Sequence, residues 1–255
     1  MTDSLDTAKL EREVKSMYRD VAEASQAEFH FETGRELAER LGYDADVLDR
    51  VPAEAIDSFA GVGYYFDLAK LRPGERVLDL GSGAGMDCFV AALSVSETGD
   101  VTGVDMTAAQ IEKARRLADE HGFHNVHIRD GHIEDLEFED ESFDAVVSNG
   151  VINLSPKKQR VFEEAYRVLN PGGRLALADI VSERQLPAGI KSDADLWAAC
   201  IGGARQIDSY RETIERAGFD VVELRENAEY EFVSERAAGA CEKYGVESVS
   251  LLAEK

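Results

Sequence analysis

Residues 76–88 read RVLDLGSGAGMDC, and this stretch decides the fold. Val77, Leu78 and Leu80 make an almost unbroken apolar run, as expected of a strand buried on both faces of a parallel sheet. Gly81, Gly83 and Gly85 follow at alternate positions and lead into a short apolar helix, MDCFVAALSV. Strand, glycine-rich turn and helix in that order predict the first unit of a doubly wound α/β sheet, whose glycines let the backbone approach a ligand closely. Asp105 ends the next strand, DVTGVDM. It lies about 20 residues beyond the turn, where a carboxylate can accept hydrogen bonds from ribose hydroxyls.

Outward from this unit the alternation continues. Thr107 is expected to cap AAQIEKARRLADEHG, with Ile111, Ala114, Leu117 and Ala118 on its apolar face and Gly122 at its end. NVHIRDG and SFDAVVSNG read as strands, KKQRVFEEAYRVL as a helix, NPGG as a turn and RLALADIV as a fifth strand. Strands alternating with helices imply parallel pairing through right-handed crossovers. Residues 1–70 read as helical, with Leu37, Leu41 and Leu48 near helical spacing and a break at Gly42. After Val181, the segment SERQLPAGIKSDADLWAACIGGARQ reads as a long insertion with a helical middle. DSYRETIERAGF is an amphipathic helix, and DVVELRE and SVSLLAE are closing strands. The organisation expected is one domain: a helical N-terminal lid over 1–70, a nucleotide-binding core over 71–181, and a substrate-covering insertion with closing elements over 182–255.

Composition narrows the partners. Across 255 residues, 51 Asp and Glu oppose 28 Lys and Arg, a formal net charge of −23. Such a surface repels phosphate backbones and anionic membranes, so neither nucleic acid nor membrane is an expected partner. The acid is spread along the chain, as on proteins from high-salt cytoplasm, and predicts a fold that needs salt. No apolar run reaches the ~18 residues of a membrane span. The start, MTDSLDTAKLEREV, is acidic and reads as neither signal peptide nor anchor. Three widely spaced cysteines argue against a disulfide framework and for a reducing, cytoplasmic setting.

The ligand of the turn can be narrowed further. Its spacing is G-x-G-x-G, not the dinucleotide G-x-G-x-x-G, and Asp79 precedes it. A pyrophosphate would be repelled by that carboxylate, whereas the ammonium and sulfonium of S-adenosylmethionine would be attracted. The simpler alternative is an Asp79 that only caps the loop. A general base is harder to find. His121, His124, His127 and His132 surround the third strand and His30 lies far upstream; only His132 falls near the expected cofactor. Cys88, Cys200 and Cys241 are taken singly as small buried hydrophobes. They lack the paired spacing of a zinc site, so no metal ion is expected there.

The runs VLDLGSGAG, VTGVDMT, RDGHIEDLEFEDESFDAVVSNGVINL and EAYRVLNPGGRLALADIV resemble, in order and spacing, the motifs of class I S-adenosylmethionine-dependent methyltransferases. The resemblance runs from Arg76 to Val181. It implies a doubly wound, mostly parallel seven-stranded sheet with the last strand antiparallel. It also implies adenine held by Gly131, His132, Ile133 and Glu134, and Asn149 facing the methionine part of the cofactor. Asp79, Gly81, Ser82, Gly83, Asp105 and Met106 complete the implied cofactor set.

A narrower resemblance, from Leu37 to Cys241, is carried by LGSGAGMDCFVAA, SNGVINLSPKKQRVFEEAYRVLNPGGRLALADIV, WAACIGGA and CEKYGV. These are similar to the arsenite S-adenosylmethionine methyltransferases, and the resemblance implies that Cys88, Cys200 and Cys241 bind arsenic. Trivalent arsenic is thiophilic and keeps a lone pair that can attack a methyl carbon with no base. Binding it displaces thiol protons. The implied substrate is arsenite or its thiol complexes, and the implied turnover needs an external thiol or a thioredoxin-type reductant. Two departures stand out. Many relatives carry a further cysteine upstream of the glycine turn, within a Gly-Cys-Gly stretch, where this chain reads AGVGYYFDLAK and has none, and often one where it has Gly150. Two rival functions remain open: methylation of a small organic acceptor such as a quinone precursor, and a non-catalytic module that binds metalloid or cofactor.

Overall fold

A computed structural model describes residues 7–23, 31–187, 197, 201–233 and 235–255. Among these, strands β1 (Arg76–Leu80), β2 (Asp100–Asp105), β3 (Val126–Asp130), β4 (Phe143–Asn149), β5 (Leu169–Ser182), β6 (Arg205–Gln206), β7 (Asp220–Glu226) and β8 (Val246–Glu254) form one sheet. The main order is β3-β2-β1-β4-β5-β8-β7, with β6 pairing the far end of β5. The pairs β3–β2, β2–β1, β1–β4 and β4–β5 are parallel, and β8 runs antiparallel to both β5 and β7. SVSLLAE therefore takes the expected antiparallel place. The addition to the expected seven strands is β6, two residues pairing parallel with Val181 and Ser182.

The central strands β1, β4, β5 and β8 are buried on both faces because helices cover both, whereas the edge strands β3 and β7 are partly exposed. On one side Val77, Val101 and Val147 pack with Phe89, Ile111, Leu117 and residues of the N-terminal segment such as Leu37, Leu48 and Phe59. On the other, Leu78, Leu80, Val146 and Leu175 pack with Phe162, Tyr210 and Ile214. The second face belongs to helices Lys158–Val168 and Ile207–Arg216. In chain order the described helices are α1 (Thr7–Glu23), α2 (Arg35–Leu41), α3 (Ala45–Leu48), α4 (Ala53–Asp57), α5 (Phe66–Ala69), α6 (Met86–Val95), α7 (Ala108–His121), α8 (Lys158–Val168), α9 (Ile207–Arg216) and α10 (Glu235–Tyr244).

Local chemistry sets several boundaries. Gly42 and Gly122 close α2 and α7 in the left-handed conformation that an L side chain resists. Thr107 occupies the position before α7, but its side chain makes no capping bond. Instead Asp105 Oδ1 accepts the Thr107 N–H at 2.8 Å. NPGG is not a free turn. It bulges within β5, since Phe143 pairs with Leu169 and Ala145 already pairs with Arg174. Lys255 holds this bulge through backbone bonds to Gly172 and Gly173.

Helix α1 crosses the carboxyl ends of the strands, where Leu10 and Val14 pack with Trp197 and against Tyr18, Met106 and Leu154. The expected helical middle of the insertion falls largely on residues 188–196 and 198–200, outside the described residues.

Candidate functional site

The glycine turn after β1 is locked before any ligand arrives. Gly81 and Ser82 donate their N–H groups to the Val104 carbonyl at 2.8 and 3.1 Å. Gly81 has φ +75°, and a Cβ there would lie 2.4 Å from Val151 Cγ1, so only glycine fits. Asp105 Oδ2 accepts the Gly83 N–H at 2.9 Å while its other oxygen holds Thr107. The expected ribose acceptor thus also fastens the turn to β2.

Beside this turn, at the carboxyl ends of the parallel strands, lies a cavity of about 790 Å³. Open α/β sheets bind ligands at this edge. Asp79, Gly81, Ser82, Gly83, Asp105, Met106, Gly131, His132, Ile133, Glu134 and Asn149 all line it. The structure therefore brings together every residue expected around the cofactor. Glu134 is held by the Ser155 hydroxyl at 2.5 Å, and Ser155 Oγ in turn accepts the Lys157 N–H at 3.0 Å. Lys158 is buried and donates to the Asn153 and Ser155 carbonyls at 3.0 and 2.8 Å. This is how INLSPKK becomes a rigid wall after β4.

One end of the cavity is acidic in a way the sequence reading missed. Asp87, the second residue of α6, lines it beside Asp79, and both are buried. Asp87 accepts hydrogen bonds from Tyr43 Oη at 2.7 Å, Tyr65 Oη at 2.8 Å and Asn149 Nδ2 at 3.1 Å. Asn149 also donates to the Gly63 carbonyl at 3.1 Å and accepts from Val62 N–H at 2.8 Å, tying β4 to the N-terminal segment. Burial pushes the Asp79 carboxyl well above its ordinary range, and the neighbouring Asp87 pushes it further. Asp87 is raised by burial and partly restored by its three donors. A lone acid in the apolar helix MDCFVAALSV was the available signal for Asp87. Tyr43 and Tyr65 offered none, because their approach depends on chain folding.

The two described cysteines lie apart from the cavity lining. Cys88 is fully buried and does not line the cavity. Its thiol donates to Asp79 Oδ2 at 3.2 Å and sits against β2, where a Cβ on Gly103 would lie 2.8 Å away. The cause is helix phase: one residue is ~100° of turn, so with Asp87 facing the cavity Cys88 faces the sheet. Burial, then the Asp79 charge, pushes its thiol far above the ordinary range. Cys241 is half-buried on α10, packed against the core and away from the cavity lining, and burial raises its pKa to about 11. Cys200 lies outside the described residues. The described residues thus bring neither Cys88 nor Cys241 to the cavity. The two places that depart from the resemblance, the stretch AGVGYYFDLAK and Gly150, are neighbours: a Cβ on Gly150 would sit 3.2 Å from Val62 Cγ1.

The residues present suit S-adenosylmethionine. Asp79 and Asp87 give the lining an acidic end whose chemistry matches an ammonium, and Asp105 adds a carboxyl whose chemistry matches ribose hydroxyls. Gln110 Oε1 is buried on the lining with no hydrogen-bond partner, as a wall prepared for a polar ligand leaves it. Among the described residues no cluster of His, Cys, Asp or Glu is arranged to hold a metal ion, and no helix is long and apolar enough to cross a membrane.

Sheet order and site define a methyltransferase fold, and the chain belongs to the methyltransferase domain family, whose model matches residues 71–218. Among curated proteins it is 45% identical over 205 residues to an arsenite methyltransferase of Halobacterium salinarum, covering 80% of this chain and 52% of that protein. It is 44% identical over 180 residues to one of Aquipseudomonas alcaligenes, covering 68% and 51%. The chain thus spans about half the length of these relatives. Among solved structures it is similar to CrArsM, an arsenic(III) S-adenosylmethionine methyltransferase from Chlamydomonas reinhardtii. The TM-score is 0.65 at 32% identity, over 88% of this chain and 74% of that one.

Proposed function

We propose that this chain transfers a methyl group from S-adenosylmethionine to trivalent arsenic, taken up as arsenite or a thiol complex of it. The observation that carries the reading is the likeness to CrArsM across 88% of the chain, combined with a cavity whose acidic end suits the cofactor. Asp79 and Asp87 take the ammonium, Asp105 the ribose hydroxyls, and Gly131 to Glu134 the adenine. Gly81, Ser82, Gly83 and Met106 shape the contact surface, and Asn149 braces the wall beside the methionine part. When bound, the cofactor supplies an electrophilic methyl carbon on a sulfonium.

The lone pair of arsenic is the nucleophile, so His132, the one histidine among the described lining residues, is not needed as a base. Of the three cysteines we assign arsenic to Cys200. Cys88 faces the sheet and Cys241 lies elsewhere, so further sulfur ligands come with the substrate as a thiol complex. An external thiol or thioredoxin-type reductant renews them. Residues 1–70 act as the lid, 71–181 as the cofactor core and 182–255 as the cover over the acceptor, in a cytoplasmic protein.

Methyl-labelled cofactor, arsenite and excess thiol in high salt test this reading. Label is expected in methylated arsenic, and Cys200→Ser is expected to lower that product about tenfold or more, ~1.4 kcal/mol of transition-state stabilisation. Unchanged product from Cys200→Ser would remove the assignment. A second reading, methylation of an organic ring, is favoured by one feature: Phe59, Ile133, Val151 and Leu154 line the cavity, and no described thiol does.

A further inference from the structure

Asp79 and Asp87 are 2% and 6% exposed on the same cavity wall, and their hydrogen-bond donors are divided unequally. Asp87 takes three, from Tyr43, Tyr65 and Asn149, a set that suits an ionised carboxylate. Asp79 takes a single weak donor, the Cys88 thiol. The groups that face the pair are Asp105 from β2, Cys88 from α6, Asn149 from β4, and Tyr43, Tyr64 and Tyr65 from the segment between α2 and α5. All are neutral or negative, and no Lys, Arg or His of the described residues bonds to either carboxylate. Two negative charges so placed cannot both persist without a counter-ion, so one carboxyl holds a proton. Asp79, the less hydrogen-bonded, is that one.

We propose that Asp79 carries a proton in the cofactor-free protein and loses it to solvent when the ammonium of the cofactor enters, so that cofactor binding and proton release are one event. The Asp79 O–H bond breaks, its proton goes to bulk water, and the carboxylate formed is neutralised by the incoming ammonium. Counted with the ammonium, the Asp79–Asp87 pair carries one net negative charge before and after. The inference rests on the cavity being the S-adenosylmethionine site. Its consequence is a dissociation constant that falls about tenfold per pH unit while the proton must be displaced, then levels off.

Isothermal titration of the full chain at matched pH, in two buffers of different ionisation enthalpy, counts the protons. S-adenosylmethionine is compared with 5′-methylthioadenosine, which lacks the amino-acid part and its ammonium. Near one proton released with the first and none with the second is expected. Asp79→Asn should bind the cofactor more weakly and release none. The ligand comparison on the unaltered protein stands even where that variant fails to fold. Binding without proton release between about pH 5 and 8, or equal release with both ligands, would overturn the proposal. Absence of any S-adenosylmethionine binding would instead remove the cofactor reading, and this inference with it.

Discussion

Replacing Tyr65 by Phe takes one hydroxyl from the packed wall behind Asp87 and leaves the ring in place. Tyr65 is fully buried and its Oη lies 2.8 Å from Asp87 Oδ2. A hydrogen bond to a charged partner contributes about 1.5–3 kcal/mol, against about 0.5–1.5 for a neutral one. The loss on substitution must therefore depend on pH. Where Asp87 is ionised it is the larger figure, and in acid, where the carboxyl is protonated, the smaller. The sign follows from linkage. Burial already raises the folded-state pKa of Asp87, so stability from this group is fully present below the ordinary carboxylate value and is lost as pH rises through the folded value. Removing a donor raises that value again, by about one unit for each ~1.4 kcal/mol, and carries the loss to higher pH. Urea unfolding of both proteins in acid and at pH near 8, with equal slopes, measures the two differences. The large general charge of −23 acts on both proteins and cancels. Equal losses at the two pH values, or none at either, would refute the assignment of Asp87 as the ionised member of the pair.

Other outcomes follow from the same geometry. Asp179, buried and bonded by Tyr210 Oη at 2.7 Å, has a pKa raised to about 6 by burial. It should cost up to ~3 kcal/mol as pH climbs from the ordinary carboxylate value through 6, and Asp179→Asn should flatten that part of the urea-midpoint profile. Gly81→Ala places a Cβ 2.4 Å from Val151 at φ +75°. A loss of about 2–5 kcal/mol in unfolding free energy, with cofactor binding abolished, is expected; a normal melt with normal binding would contradict it. Native alkylation followed by mass spectrometry should label Cys241 before Cys88, which reacts only after unfolding; early labelling of Cys88 would contradict its burial. Unfolding midpoints should rise with added salt, as self-repulsion from a net charge of −23 is screened.

Much of this fold was legible in the residues because the patterns are strong where burial is two-sided. Arg76–Leu80 could hardly be anything but a central strand, and its turn glycines, with Asp105 downstream, located the cavity before its walls were known. The antiparallel placement of SVSLLAE came from resemblance, not from periodicity. What stayed hidden was side-chain direction. RVLDLGSGAGMDC contains both Asp87 and Cys88, and a chain read in one dimension cannot say that helix phase sends the acid to the cavity and the thiol to the sheet. Tyr43 and Tyr65 reach Asp87 across a long stretch of chain, and the Val62–Gly150 contact joins segments with no shared pattern. NPGG looked like a turn because its composition is that of one; pairing of Leu169 with Phe143 makes it a bulge.

The most direct measurement offers the protein a choice of acceptor. Methyl-labelled S-adenosylmethionine is supplied in high salt with a thiol complex of arsenite and a quinone-precursor ring together, and the label is traced after a single turnover. Label recovered on arsenic is the outcome expected. Label on the ring, or donor that binds and keeps its methyl, would contradict it.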